Sequence, residues 1–261
     1  MTRSTTRVRH CLMMLALAYE ITHCWKSSAL AQDAAPATPP SVQNPILEQA
    51  IHDYIIAHPE VIIESLQRAK AKAERRESAL IKSRITAFRK QLVDDPNAPV
   101  LGNPKGDVTL VEFFDYRYPY CRQVEPWLQT LMQQDHGVRL VQKEFPILGP
   151  ASVYAAQLAL AAWKQGRHAQ FHSAMMAKRG NIDDAIILQV AQSAGLDMDR
   201  IKIDMNSVDV VSEIQQSMEI AKSLGLSGTP GFIVGTELVP GATDLATFHA
   251  MVDDARRGRQ N

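Results

Sequence analysis

The chain has 261 residues, 46% of them hydrophobic, enough to bury a sizeable core in one or two domains. Its 28 Lys and Arg balance 28 Asp and Glu, so no charge excess points to a nucleic-acid partner. Beyond the first thirty or so residues no apolar run approaches bilayer length, which argues against a membrane span in the remainder.

The chain opens with Arg3, Arg7 and Arg9 ahead of the apolar run Cys11 to Ala18, and Ala29-Leu30-Ala31 offers small residues at signal-peptidase spacing. Residues 1–31 are therefore read as a secretory signal, with the polar stretch Glu20 to Lys26 interrupting it; the alternative is an uncleaved tail. Cleavage after Ala31 would remove Cys11 and Cys24 and leave Cys121 as the only thiol, so no internal disulfide could form. The mature chain is expected in an oxidising compartment, the periplasm. Residues 32–44, with Pro36, Pro39 and Pro40, read as a flexible linker.

From Pro45 the pattern is helical, with Ile46, Leu47, Ala50, Ile51, Tyr54 and Ile55 on one face until His58-Pro59 breaks and restarts it. A long helix is then expected from Pro59 to Val93. One apolar phase runs through Ile62, Leu66, Ala69, Ala73 and Leu80, and a second through Ile81, Ile85, Phe88 and Leu92. A narrow stripe with a charged middle suits a helix that packs against copies of itself, so residues 45–95 are expected to form a coiled-coil oligomerisation segment. The other reading is one amphipathic helix lying along the following domain. Asp94 to Pro99 stops the helix and marks a boundary.

Asp107 to Phe114 reads as a buried strand, Pro119 to Gln134 as a helix and Val138 to Phe145 as a second strand. Helices are expected over Ala151–Gln165, His168–Lys178, Asp183–Ala194, Met198–Met205 and Val208–Leu224. Strands come next at Gly231–Val234 and Glu237–Val239, and a last helix at Asp244–Arg256. The predicted fold class is α/β: a thioredoxin-like domain over 100–258 with a helical insertion at about 150–224, preceded by the helical segment.

The run Glu112-Phe113-Phe114-Asp115-Tyr116-Arg117-Tyr118-Pro119-Tyr120-Cys121 carries a single thiol into the first turn of a helix, where amide donors and the helix dipole stabilise a thiolate. It resembles the Phe-Phe-Asp-Tyr-x-Cys-Pro-Tyr-Cys junction of the DsbA-like branch of the thioredoxin superfamily, except that Tyr118 stands where the attacking cysteine belongs. Whether the protein is an enzyme turns on that substitution. The resemblance implies that Cys121 is the resolving thiol, and that Glu112 is a buried acid with a raised pKa that exchanges protons with it. Glu112 could equally be a strand residue whose side chain reaches solvent or a basic neighbour. Thr229-Pro230 would be a cis-proline turn against the helix start, forming with Pro119 and Tyr120 a groove for an extended peptide, the alternative being an ordinary trans turn between helix and strand; Thr before that proline is more typical of isomerase and reductase relatives.

Within the family the chain is most similar to the suppressor of copper sensitivity protein C type, on Tyr54-Ile55-Ile56-Ala57-His58-Pro59-Glu60-Val61-Ile62 and Glu144-Phe145-Pro146-Ile147-Leu148-Gly149. The implied partners are unfolded or disulfide-containing secreted proteins, with a membrane thiol reductase as a candidate, and further copies of this chain. Two functions are compatible with this: a redox-impaired chaperone or isomerase-like binding module, or a monothiol oxidoreductase using Cys121. A third reading makes the groove a small-molecule site. No cofactor or metal is expected: His168 and His172 lie four apart on a helix, but without a third ligand they read as one packed and one solvated histidine. Ser152 and Ser173 have no recognisable acid-base partners.

Overall fold

The computed structural model describes residues 44–258. The expected signal over 1–31 and all of the expected linker but Asn44 lie outside the described residues. The chain divides into two units after Ile62. In the first, α1 (Pro45–Ala57) starts where Asn44 accepts a hydrogen bond from the Leu47 amide at 3.2 Å and Pro45 fills the first helical position. None of its residues is buried, and Ile46, Leu47, Ile51, Tyr54 and Ile56 are exposed. A cluster of apolar side chains on one short helix is a surface that lowers its free energy by being covered.

The helix α2 (Pro59–Ala87) separates the two apolar phases of its sequence. Leu66 and Leu80 remain exposed, whereas Ile85 is buried and Ile81 and Phe88 pack on the same core cluster. The helix expected to reach Val93 is interrupted at Phe88 and resumes as α3 (Arg89–Val93), with Leu92 fully buried. Thr86, whose hydroxyl donates to the Lys82 carbonyl at 2.9 Å, is the kind of back-bonded residue that bends a helix just there. The segment expected over 45–95 is thus not wholly separate from the thioredoxin domain, because its last two turns are part of that domain's core.

Three strands and one helix build the first half of that domain: β1 (Val100–Gly102), β2 (Val108–Phe114), α4 (Pro119–Gln134) and β3 (Val138–Glu144). Five helices come next, α5 (Pro150–Lys164), α6 (His168–Met176), α7 (Asp184–Ser193), α8 (Met198–Asp204) and α9 (Val208–Ser223), before β4 (Gly231–Val234), β5 (Glu237–Pro240) and α10 (Leu245–Gly258). The sheet order is β1-β3-β2-β4-β5, with β2 and β3 parallel and every other pair antiparallel. The short β1, not foreseen from the sequence, pairs Val100 with Val141.

Both faces of the sheet are covered, so β2 and β3 are buried along nearly their whole length. Leu110 and Leu140 meet α4 and α10 through Val124, Leu128, Leu131, Phe248 and Val252. Val111, Phe113, Val141 and Ile233 point the other way, under Ile85, Leu92 and the Ile220-Ala221 turn of α9. On that second face Lys143 is fully buried and donates to Asp95 Oδ2 at 2.9 Å and Glu213 Oε1 at 2.8 Å. A third core, built from the alanine-rich α5 and helices α6 to α8, reaches back to include Phe114, Tyr116 and Cys121. The motif therefore sits where the inserted helices meet the sheet.

Candidate functional site

Strand β2 delivers the motif and a three-residue turn redirects it. Asp115, fully buried, holds that turn: its carboxylate accepts from the Arg117 amide at 2.9 Å, the Ile147 and Leu148 amides at 2.9 and 3.1 Å, and the Ser152 hydroxyl at 2.9 Å. Ser152 thus has an acid partner after all, in a bond that fastens α5 to the turn. Tyr118 is the N-cap of α4, with extended backbone and no side-chain capping bond, and Pro119 occupies the first helical position. The Tyr118 ring is half-buried against the insertion core and 5.4 Å from that of Tyr120, which is exposed.

Cys121 lies on the inner side of that first turn, with no exposed surface and no disulfide. The expected stabilisation of its thiolate is overturned by burial, which pushes the thiol from 9.0 up to about 12. A bond from the Asp115 backbone and the nearby Thr229 hydroxyl oppose burial, and the charge of Asp115, with that of Glu112 whenever it is ionised, adds to it. Thr229 Oγ1 is close enough to favour the anion, yet it forms no hydrogen bond of good geometry. The Thr229–Pro230 peptide is cis, and both residues are buried beside the motif. Gly231 comes next because a Cβ there would come within 2.8 Å of the Leu226 side chain.

Glu112 is buried beneath the motif, and burial followed by repulsion from Glu125 raises its pKa well above the ordinary value. It does not reach solvent or a basic neighbour. Its cross-strand partner is Gln142, whose Oε1 has no donor, and neither Glu112 oxygen has one either. The nearby Gln142 side chain lowers the Glu112 pKa only in part, so burial favours the protonated acid. Gln142 Nε2 in turn lies 2.9 Å from His172 Nε2; Glu125 Oε2 is 3.2 Å from the same nitrogen, and Tyr116 Oη is 3.0 Å from Nδ1.

This buried set of Glu112, Gln142, His172, Tyr116 and Glu125 was visible in the sequence only as Glu112 and a histidine pair. Its members come from β2, the turn after it, β3, α4 and α6, a meeting that no local period announces. Contrary to expectation, both histidines are buried: His168 stacks on His172 with ring centres 5.5 Å apart. Neither His168 nitrogen has a partner, and burial, then the neighbouring His172, depress its pKa well below the usual histidine value. Among the described residues no group of three or more His, Cys, Asp or Glu is arranged to hold a metal ion, and no helix is long and apolar enough to cross a membrane.

Cys121 should behave as a core residue. At pH 8 a thiol titrating near 12 is ionised in about one molecule in ten thousand. Iodoacetamide is expected to leave Cys121 unmodified in the folded protein and to alkylate it fully in urea, as read by intact mass. Rapid modification of the native protein would show that the thiol is reachable.

A central sheet with a βαβ start, a helix opening at Pro119, a cis-proline turn beside it and helices inserted between β3 and β4 define a thioredoxin-fold protein of the thiol-disulfide interchange class. The DSBA-like thioredoxin domain matches residues 109–253 and the N-terminal domain of copper resistance protein ScsC matches 47–76. The chain belongs to the DsbA-like thioredoxin family and carries a ScsC-type N-terminal domain.

A thioredoxin-like oxidoreductase from Silicibacter pomeroyi is 47% identical, over 65% of this chain and 98% of that one, with a TM-score of 0.63. A linker-deletion variant of Proteus mirabilis ScsC is 25% identical over 86% of this chain and 100% of its own, with a TM-score of 0.65. The thiol:disulfide interchange protein DsbA of Bordetella parapertussis is 26% identical over 60% of this chain and 79% of its own. A Na+/H+ antiporter of Salinispora tropica is 30% identical over 62% of this chain, which spans 25% of the antiporter's length.

Proposed function

We propose that this protein is a periplasmic polypeptide-binding member of the DsbA family that has given up dithiol chemistry. It holds unfolded or disulfide-containing secreted chains without forming a covalent bond to them. The observation that carries this reading is the state of the motif: Tyr118, half-buried, occupies the cap position where an attacking thiolate would gain most from the helix, while Cys121 is sealed in the core. A lone buried thiol has neither the nucleophilicity to open a client disulfide nor a partner to release a mixed one. The exposed Pro119 and Tyr120, next to the buried cis Thr229-Pro230 turn, support a site for an extended chain beside the motif.

The apolar face of α1 supports self-association through the N-terminal helices. Several grooves on one oligomer would replace covalent capture by avidity. The secretory reading of residues 1–31 supports the periplasmic assignment. The full mature chain is expected to suppress light scattering from an aggregating, reduced client at near-stoichiometric ratios, and Cys121→Ser to do so equally well. Absence of suppression by the folded wild type would contradict a binding role.

A further inference from the structure

Three arginines stand around the motif. Arg117 is tied down by bonds to two carbonyls, Nε to Ile182 at 2.9 Å and Nη1 to Leu148 at 2.8 Å. Arg122, in the first turn of α4, donates to the Tyr116 carbonyl at 3.3 Å. Arg179, exposed in the loop after α6, is near enough to repel Arg122, as is Arg117. None of the three forms an ion pair among the described residues, although Asp107, Asp135, Asp204 and Asp209 each pair with a cation elsewhere. Asp115, whose charge acts on Arg122, is buried and has its oxygens engaged with three amides and a hydroxyl.

The carbonyl bonds of Arg117 and Arg122 hold the chain but do not neutralise their charge, and an incoming anion gains from all three guanidinium groups. Tyr120, two residues before Arg122, and Leu148, whose carbonyl holds Arg117, have exposed side chains. Apolar surface next to unpaired planar donors is chemistry suited to a peptide that carries a carboxylate beside an aromatic or aliphatic side chain.

We infer that the groove selects extended polypeptide segments bearing Asp or Glu next to an apolar residue, the carboxylate seating among Arg117, Arg122 and Arg179. This rests on the polypeptide-binding reading above and adds a sequence preference to it. The groove then discriminates among unfolded chains by charge, where a bare strand-addition site reads mainly main chain.

Fluorescence anisotropy of three labelled peptides on the full mature chain tests it: one with Asp and Glu flanking a Leu-Phe core, one with Asn and Gln in their place, and one with Lys. The acidic peptide is expected to bind about tenfold more tightly than the amide peptide, since several part-exposed charge pairs each contribute a few-fold. That advantage should shrink in 0.5 M salt. Arg179→Glu, at an exposed loop position, should remove most of the preference, read as the ratio of acidic-peptide to amide-peptide affinity; an unchanged ratio would overturn the role of Arg179. Equal binding of all three peptides overturns the charge preference and leaves the binding module standing; binding of none overturns both.

Discussion

Replacing Tyr118 by Cys is expected to create a working disulfide exchanger. The new thiol would lie at the cap of α4, where the free amides of the first turn and the helix dipole lower its pKa below that of a free cysteine. It would stand three residues from Cys121, whose amide already donates to the Tyr118 carbonyl at 3.2 Å. First-turn neighbours on a helix are about 5–6 Å apart, within disulfide reach.

In the oxidised variant a client dithiol is oxidised as the pair is reduced; in the reduced variant the electrons flow the other way, with dithiothreitol as donor. Insulin reduction should rise at least about a hundredfold over wild type, in line with regaining a thiolate attacker and an internal resolving partner. Adding Glu112→Gln to that variant should slow it by about tenfold or more if the acid exchanges protons with Cys121. A variant that forms the disulfide and still fails to turn over would place the loss in the groove instead of the motif.

How far the sequence foretold this site differs from element to element. The strand, the Pro119 helix start and the Thr229-Pro230 turn were legible because each depends on near neighbours: β-branched and aromatic alternation, a ring that fixes φ, a proline ahead of a strand. The depth of Cys121 was not, because it is set by α5 to α8 closing over the motif from residues thirty to eighty positions away. The same closure buries His168 and His172, which helical spacing alone left half-solvated. β1 is three residues long and exists only by pairing with β3. The two apolar phases of α2 were visible, but which one meets the protein's own core could be learned only from where the sheet lies.

The second large effect is expected at Lys143. Its ammonium is fully buried between Asp95, just past the end of α3, and Glu213 on α9. Lys143→Met would remove the cation that, among the described residues, pairs with both buried carboxyls, and breaking such a pair costs about 3–5 kcal/mol. Urea unfolding followed by far-ultraviolet circular dichroism should read most of that as a lowered midpoint. A loss under about 1 kcal/mol would mean that water reaches the triad.

The triad also gives stability a pH dependence of known sign. Burial, then Asp95, raises the Glu213 carboxyl from 4.5 to about 7 against the pull of Lys143. For Asp95, burial also acts upward, but the bonds to Glu213 and Lys143 and the lysine charge prevail and hold it below the ordinary 3.8. Between these limits the folded state keeps a proton on Glu213 that the unfolded chain releases. The Glu213 contribution is therefore full below pH 4.5 and is lost as pH rises toward 7, whereas that of Asp95 is present above 3.8 and is lost on further acidification. Glu213→Gln, which keeps an acceptor for Lys143, should flatten the wild-type decline between pH 4.5 and 7. An unchanged slope would assign that decline to other groups, among them the buried Glu112 and Glu144, whose pKa values burial raises in the same sense.

Whether this scaffold binds without exchanging disulfides is decided most directly by turnover with the native motif. The mature wild-type protein is expected neither to catalyse dithiothreitol-driven insulin reduction nor to reactivate scrambled ribonuclease, and to accumulate no mixed disulfide with either. Turnover in either assay that disappears in Cys121→Ser would contradict the account, by showing that the sealed thiol opens and reacts.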